Sequence, residues 1–388
     1  MINDFLSPLP ESFVAWAKQL GEGTMGHQIM MHHHELPTLE ECKVVIVSVE
    51  ESRGGSQQED CHGTANAIRR ELYQLFAGHW DLKIADAGII SQGEDIEDSY
   101  LALKTVVTYC VKQQLIPIII GGTQDLTFAL YSAFDHLEQS VNITSVDSKF
   151  DLGELKGPMK SESYLSHIIM QKPNNLFNFV NLGYQTFLVN QTEIELMEKM
   201  YFETYRLGAL QKDLTEAEPV MRDSDIVSFD VNALSMKDAP ANTNGSPNGF
   251  NGMEWCALAR YAGIGDKVSV IGFFNHEAIY DRYAQTAKLL AQGIWYAMEG
   301  ISLRKSDFPF GKRDNYIKYV VPNTELEKEI VFFKSDKSGR WWIEMPLENP
   351  FNPLHNRHIL VPCSYNDYLK AGEGEIPERW WRAAKKLF

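Results

Sequence analysis

Five short aliphatic runs set the class of fold: KVVIVSV at 43–49, LIPIII at 115–120, NITSV at 142–146, IVSFDV at 226–231 and KVSVIGFF at 267–274. Each has the length of a strand, is rich in β-branched residues and reads as a buried strand. Weaker strand signals lie at 83–87 and 177–182. Helical periods fall between the runs, at 11–20 (Phe13, Trp16, Ala17, Leu20), 64–76, 100–113, 122–136, 190–201, 254–262 and 281–300. Strands alternating with helices over about 260 residues predict an α/β fold with a doubly wound, mostly parallel sheet.

The pattern changes near Leu303. Residues 315–321, 329–334 and 339–346 read as strands, the last two joined by a hairpin turn at Ser335–Ser338, and 377–388 as a short terminal helix. The expected organisation is an N-terminal helical segment (1–42), an α/β domain (43–302) and a β-rich C-terminal extension (303–388). The tryptophan pairs Trp341-Trp342 and Trp380-Trp381 either anchor an interface or pack the extension onto the main domain; packing is the commoner use.

Composition excludes several functions. A net charge of −16 argues against general nucleic-acid binding, which needs clustered Lys and Arg. No apolar run approaches a membrane span and the N-terminus lacks a basic leader, so a cytoplasmic protein is expected. The five cysteines are scattered without CxxC spacing and read as reduced, buried thiols. His32, His33 and His34 are consecutive and cannot converge on one ion from a regular element; a solvated loop is expected.

Chemistry gathers where strands end. GGTQD (121–125) follows the strand at 115–120, DSKFD (147–151) follows 142–146, and SFDVNALSMKDAPANTNGSPNGF (228–250) runs out of 226–231. Polar residues at the C-terminal ends of one parallel sheet converge on a common rim. Asp230 and Asn232, two apart on an extended chain, project to the same face.

These motifs, in this order, resemble those of the ureohydrolase family of arginases, agmatinases and formimidoylglutamases, which read GGDHS, DAHxD and SFDVDxxDPxxAPGTGTPxPGG. The resemblance spans roughly residues 40–300, implies an arginase-like three-layer α/β/α fold, and is nearest the formimidoylglutamase branch at Gly183-Tyr184-Gln185. In the family, two Mn²⁺ ions held by six ligands activate a hydroxide that attacks a guanidinium or formimino carbon. The corresponding positions here are Gln124, Asp147, Lys149, Asp151, Asp230 and Asn232. Gln124, Lys149 and Asn232 depart from the family's ligands. The family's substrate-binding carboxylate falls at Phe273, so it too is expected to be lost.

Charge decides what this implies. The family site sets four aspartates against two divalent ions; this one has three aspartates and one lysine, −3 and +1, leaving −2. A lysine ammonium donates and cannot coordinate, and beside an ion at about 4 Å it costs on the order of 4 kcal/mol at an effective dielectric of 20. Two arrangements remain. One is a metal-free site held by Lys149. The other is a mononuclear site in which one divalent cation (Mg²⁺, Ca²⁺ or Mn²⁺) is bound by Asp147, Asp151, Asp230 and the Gln124 amide oxygen.

The expected function is then a binding or scaffold protein, with no catalytic residue assigned; the family's trimers and hexamers suggest a homo-oligomer, and a protein partner is the other expectation. The alternative is a formimidoylglutamase-like hydrolase that converts N-formimino-L-glutamate to glutamate and formamide at an atypical mononuclear site. A nucleophilic Lys149 is disfavoured, because three carboxylates would hold its proton.

Overall fold

The computed structural model describes residues 2–55, 61–135, 137, 139–309, 314–345 and 359–387. Among them, nine strands form one sheet: β1 (Met30–Met31), β2 (Val44–Val49), β3 (Ile84–Ile90), β4 (Ile116–Ile120), β5 (Val141–Val146), β6 (Leu176–Tyr184), β7 (Glu203–Arg206), β8 (Ile226–Asp230) and β9 (Val270–Phe274). Their order is β1-β3-β2-β4-β9-β8-β5-β6-β7 and every pairing is parallel. The doubly wound sheet expected from the aliphatic runs is therefore present. The central strands β2, β4, β5, β8 and β9 are buried at every residue. Two apolar layers, one on each sheet face, form the core.

A charged network ties one helix to the sheet. Arg69, on helix Thr64–Gln74, is fully buried and donates to both oxygens of Asp86 (2.7 and 2.9 Å), to Ser48 Oγ and to the Gly88 carbonyl. Tyr73, one turn on, donates to the same Asp86 at 2.9 Å. The forked guanidinium satisfies strands β2 and β3 at once, so the buried charge is fully compensated.

The C-terminal extension contains an antiparallel sheet of β10 (Tyr316–Asn323), β11 (Lys328–Ser335), β12 (Trp341–Glu344) and β13 (Leu360–Cys363). The Ser335 turn is closed by Gly339 N–H donating to Ser335 O and Ser335 N–H to Arg340 O, both at 2.9 Å. Pro346, the expected end of the third strand, lies outside the described residues, as do His136 and Phe388. Strands β7 and β13 and helices Tyr164–Met170, Ala217–Asp223 and Tyr365–Gly372 have no counterpart in the sequence reading. Four- to eight-residue elements carry too few periods to show themselves.

The extension packs on the main domain. Arg222, from helix Ala217–Asp223, donates to the carbonyls of Trp341 and Cys363 and lies 4.6 Å over the Trp342 ring. Trp341, Trp342 and Trp380 are buried, and only Trp381 of the four is substantially exposed. Packing accounts for Trp341, Trp342 and Trp380, while Trp381 stands exposed. All five cysteines are buried free thiols. His32 is buried with Nδ1 2.9 Å from the Ala87 carbonyl, so it is a core side chain and not part of a solvated loop.

Candidate functional site

Strands β4, β9, β8 and β5 are neighbours, and their carboxyl ends carry the motif residues. Register explains the convergence. Ile120, Phe273, Phe229 and Val146 stand in one row across the four strands, and all four belong to the same apolar core layer. On the opposite sheet face, Ser145 pairs with Ser228. Two residues farther along come Asp147 and Asp230, on that same face because side chains alternate. The site is a polar stack of two serines below two aspartates.

Gln124 enters from β4. Gly121 and Gly122 adopt φ of +88° and +74° to turn the chain off the strand; a Cβ on Gly122 would also meet Glu51 O at 2.7 Å. The Gln124 carboxamide lands in the stack's centre. Its oxygen accepts from Ser145 Oγ (3.0 Å) and Ser228 Oγ (3.2 Å), and its NH₂ faces Asp230 Oδ2, Asp147 Oδ2 and Asp151 Oδ2 at 2.9, 3.0 and 3.1 Å. The partners fix this orientation: hydroxyl donors face the oxygen and carboxylate acceptors face the nitrogen. The hydroxyls are aligned in turn, since Tyr164 Oη donates to Ser145 Oγ at 3.4 Å and Thr127 Oγ1 pairs with Ser228 Oγ at 2.8 Å.

Amides also hold Asp230. The Asn232 backbone N–H donates to Oδ1 at 2.7 Å and its side-chain amide to Oδ2 at 3.0 Å. Asn275, in the left-handed region at φ +64°, donates to Asp230 Oδ2 at 2.9 Å and accepts from the Gln124 N–H at 3.1 Å. Asn232 Oδ1 is buried without a hydrogen-bond partner among the described residues.

Asp147 and Asp151 form a coupled pair. Burial raises both, and Asp151 is driven well above the usual carboxylate range, next by the charge of Asp147 and its hydrogen bond with Asp147, then by Asp230. The hydrogen bond between the two acids pulls Asp147 down and pushes Asp151 up, the direction that closely placed buried carboxyls take. Lys149 contributes its backbone N–H, which donates to Asp147 Oδ1 at 3.0 Å, and a lesser electrostatic pull on both acids. The sequence reading assigned the neutralising role to this ammonium; the central donor is instead the Gln124 amide.

Phe273 stacks on Phe229 at 4.9 Å with 10° between the rings and lies 6.2 Å from Trp255. Beyond it Glu277 is buried, with Oε1 accepting from Thr243 N–H (2.6 Å) and Oγ1 (2.8 Å). Sequence reasoning missed Ser145, Ser228, Asn275, Tyr164 and Glu277. The i, i+2 spacing of Ser145 with Asp147 and of Ser228 with Asp230 was the available signal.

The residues present do not fit a two-metal centre. Of the six positions, three carry an amide or an ammonium, and the space between the three carboxylates is spanned by an amide nitrogen at hydrogen-bond distance.

A parallel three-layer sheet with its polar constellation at the ends of β4, β5 and β8 defines an arginase-type α/β protein. The family model for the arginase family matches residues 42–299, and the chain belongs to that family. It shares 32% identity over 95 residues with a formimidoylglutamase of Citrobacter koseri, a stretch covering 23% of this chain and 30% of that enzyme. The fold matches the Mn²⁺-bound formiminoglutamase of Trypanosoma cruzi (TM-score 0.63, 17% identity, 69% of this chain and 96% of that one). It also matches formimidoylglutamase from Bacillus subtilis (0.62, 14%, 76% and 100%) and the agmatine ureohydrolase of Thermoplasma volcanium (0.56, 16%, 74% and 97%). No helix among the described residues is long and apolar enough to cross a membrane.

Proposed function

We propose that this arginase-family chain does not run two-metal hydrolysis and acts as a binding protein whose former metal position is filled from within. The carrying observation is the Gln124 carboxamide, with its NH₂ 2.9–3.1 Å from three carboxylates and its oxygen on two serines. An amide nitrogen supplies two hydrogens to the space an ion would neutralise. Burial and the mutual repulsion of Asp147 and Asp151 raise Asp151 well above the usual carboxylate range, which favours less negative charge at the stack. Lys149 excludes a second ion by repulsion.

The second reading is a formimidoylglutamase-like hydrolase with one divalent ion, favoured by one feature of the same geometry. Rotating the carboxamide by 180° brings its oxygen to 2.9–3.1 Å from the three carboxylate oxygens. That spacing also suits adjacent ligands around an ion at about 2.1 Å. Elemental analysis after dialysis against Mn²⁺ and Mg²⁺ separates the two. The metal-free reading expects less than a tenth of an equivalent per chain and no turnover of formiminoglutamate, agmatine or arginine; one bound equivalent with turnover that Asp147→Ala abolishes overturns it. In the variant Gln124→His/Lys149→His/Asn232→Asp, Mn²⁺ binding is expected to reappear. A folded triple variant without Mn²⁺ would refute the positional correspondence.

A further inference from the structure

We propose that a second cavity, beside the carboxylate stack and separate from it, binds a small anion bearing a carboxylate or phosphate through Arg206 and Lys237. The cavity has a volume of about 420 Å³ and opens on the same rim of the sheet, at the ends of β6, β7 and β8. Gln185, Arg206, Gln211, Lys237, Asn248 and Asn251 supply its polar wall; Gln124, Asp147, Asp151 and Asp230 do not line it.

Charge is the first argument. The chain has 52 acidic against 36 basic residues, yet no Asp or Glu is among the residues lining this cavity, and two cations are. A hollow whose lining carries two cations and no carboxylate, though Asp238 pairs with Lys237 and Glu254 with Gln211, favours an anion at the two cationic heads.

Arg206 supplies the second. The guanidiniums of Arg53, Arg69, Arg222, Arg260, Arg340, Arg379 and Arg382 are committed to carboxylates. Arg206 makes no such pair among the described residues; its Nη2 donates only to Thr186 Oγ1, at a long 3.3 Å. Most of its planar fork of donors is left for a ligand, and that fork matches carboxylate and phosphate geometry. Lys237, exposed and 3.8 Å from Asp238, adds a second positive charge.

Preorganisation is the third. Gln185 is buried, its backbone N–H donates to Ser148 O at 3.0 Å and its side chain to Asn248 O at 2.9 Å, which fixes the β6 loop against the loop after β8. Gln211 Nε2 reaches Gly249 O and Glu254 Oε2 at 3.4 Å and steadies the third wall. A cavity of this size admits a metabolite-sized molecule.

The proposal deepens the binding reading by naming a ligand class, and its test is independent of metal content. Full-length protein is titrated at constant ionic strength with citrate, inorganic phosphate and 3-phosphoglycerate, by calorimetry and thermal melting, with chloride as control. Saturable binding of at least one probe is expected, together with slowed amide exchange at 184–187 and 206–211. Citrate alone would identify carboxylate as the recognised group, phosphate alone phosphate, and either supports the site. Arg206→Met and Lys237→Met are each expected to weaken binding about tenfold; both side chains are exposed, so the variants should fold, which an unchanged melting temperature without ligand verifies. Absence of saturation with all three probes, or saturation unaffected in the double variant, overturns the proposal. A bound metal ion at the carboxylate stack would refute the metal-free reading and leave this one standing.

Discussion

The rings of Phe229 and Phe273 lie parallel, 4.9 Å apart and 10° from coplanar, directly beneath the rim where the family places its chemistry. Their strands are adjacent, and the two residues are register partners. Both rings are buried in the core layer with Trp255. Restoring a carboxylate here with Phe273→Glu would bury its charge in the apolar layer between Phe229 and Trp255, with the Trp255 Nε1–H, unpartnered among the described residues, as a neighbouring donor. A loss of at least about 3 kcal/mol is expected, read as a lowered urea midpoint at neutral pH. An unchanged midpoint would mean that position 273 faces the polar site.

Gln124 is expected to matter for stability more than an ordinary polar residue. Gln124→Leu keeps the volume and removes the one donor that, among the described residues, reaches all three carboxylates. A loss of about 1–3 kcal/mol follows from leaving buried acceptors unsatisfied, and the serine hydroxyls lose their acceptor too. Chemical denaturation tests this. A neutral result would show that the carboxamide is not the centre of the network.

The terminal helix Glu378–Leu387 carries a titratable latch. Lys386 is half-buried against Asn178, with its ammonium over Phe177 and Phe202, and desolvation pushes its pKa down to about 8 despite the opposing pull of Glu203. Arg382 lowers it further, while Asp223 raises it. The unfolded chain keeps this proton to near the usual lysine value of 10.5 and the folded chain releases it from about 8. The unfolded state therefore binds more protons in that window, and this group makes stability rise with pH from 8 to 10.5 by up to a few kcal/mol. Lys386→Met should flatten that part of the profile; identical pH slopes for parent and variant would rule the latch out.

Arg222 holds the extension in place. Arg222→Ala removes donors to Trp341 O and Cys363 O and the cation over Trp342. Faster amide exchange is expected in β12 and β13, with β4, β5 and β8 unaffected. Uniform exchange changes across both sheets would show that the extension and main domain unfold as one unit.

Much of the fold was legible because it rests on local, repeated signals. Aliphatic runs at 43–49, 115–120 and 226–231 are strands whatever their neighbours, and strand–helix alternation leaves few topologies. Edge strand β7 and helix Ala217–Asp223 escaped, being short and stabilised by partners distant in sequence. At the site, the motifs GGTQD, DSKFD and SFDVN were visible and their common rim followed from strand polarity.

The sequence by itself determined the residue types at the rim: three aspartates where the family's two-metal centre has four, with two amides and an ammonium among them. Charge counting needs no coordinates. Only the tertiary structure decided which group sits at the centre. Residue type makes Lys149 the obvious counter-charge, yet it is the register of β5 against β8 that sets Ser145 beside Ser228 and seats the Gln124 oxygen on their hydroxyls. Hydrogen bonds depend on direction and on distances of tenths of an ångström, and those are properties of strand pairing across about a hundred residues of chain, which no local pattern encodes.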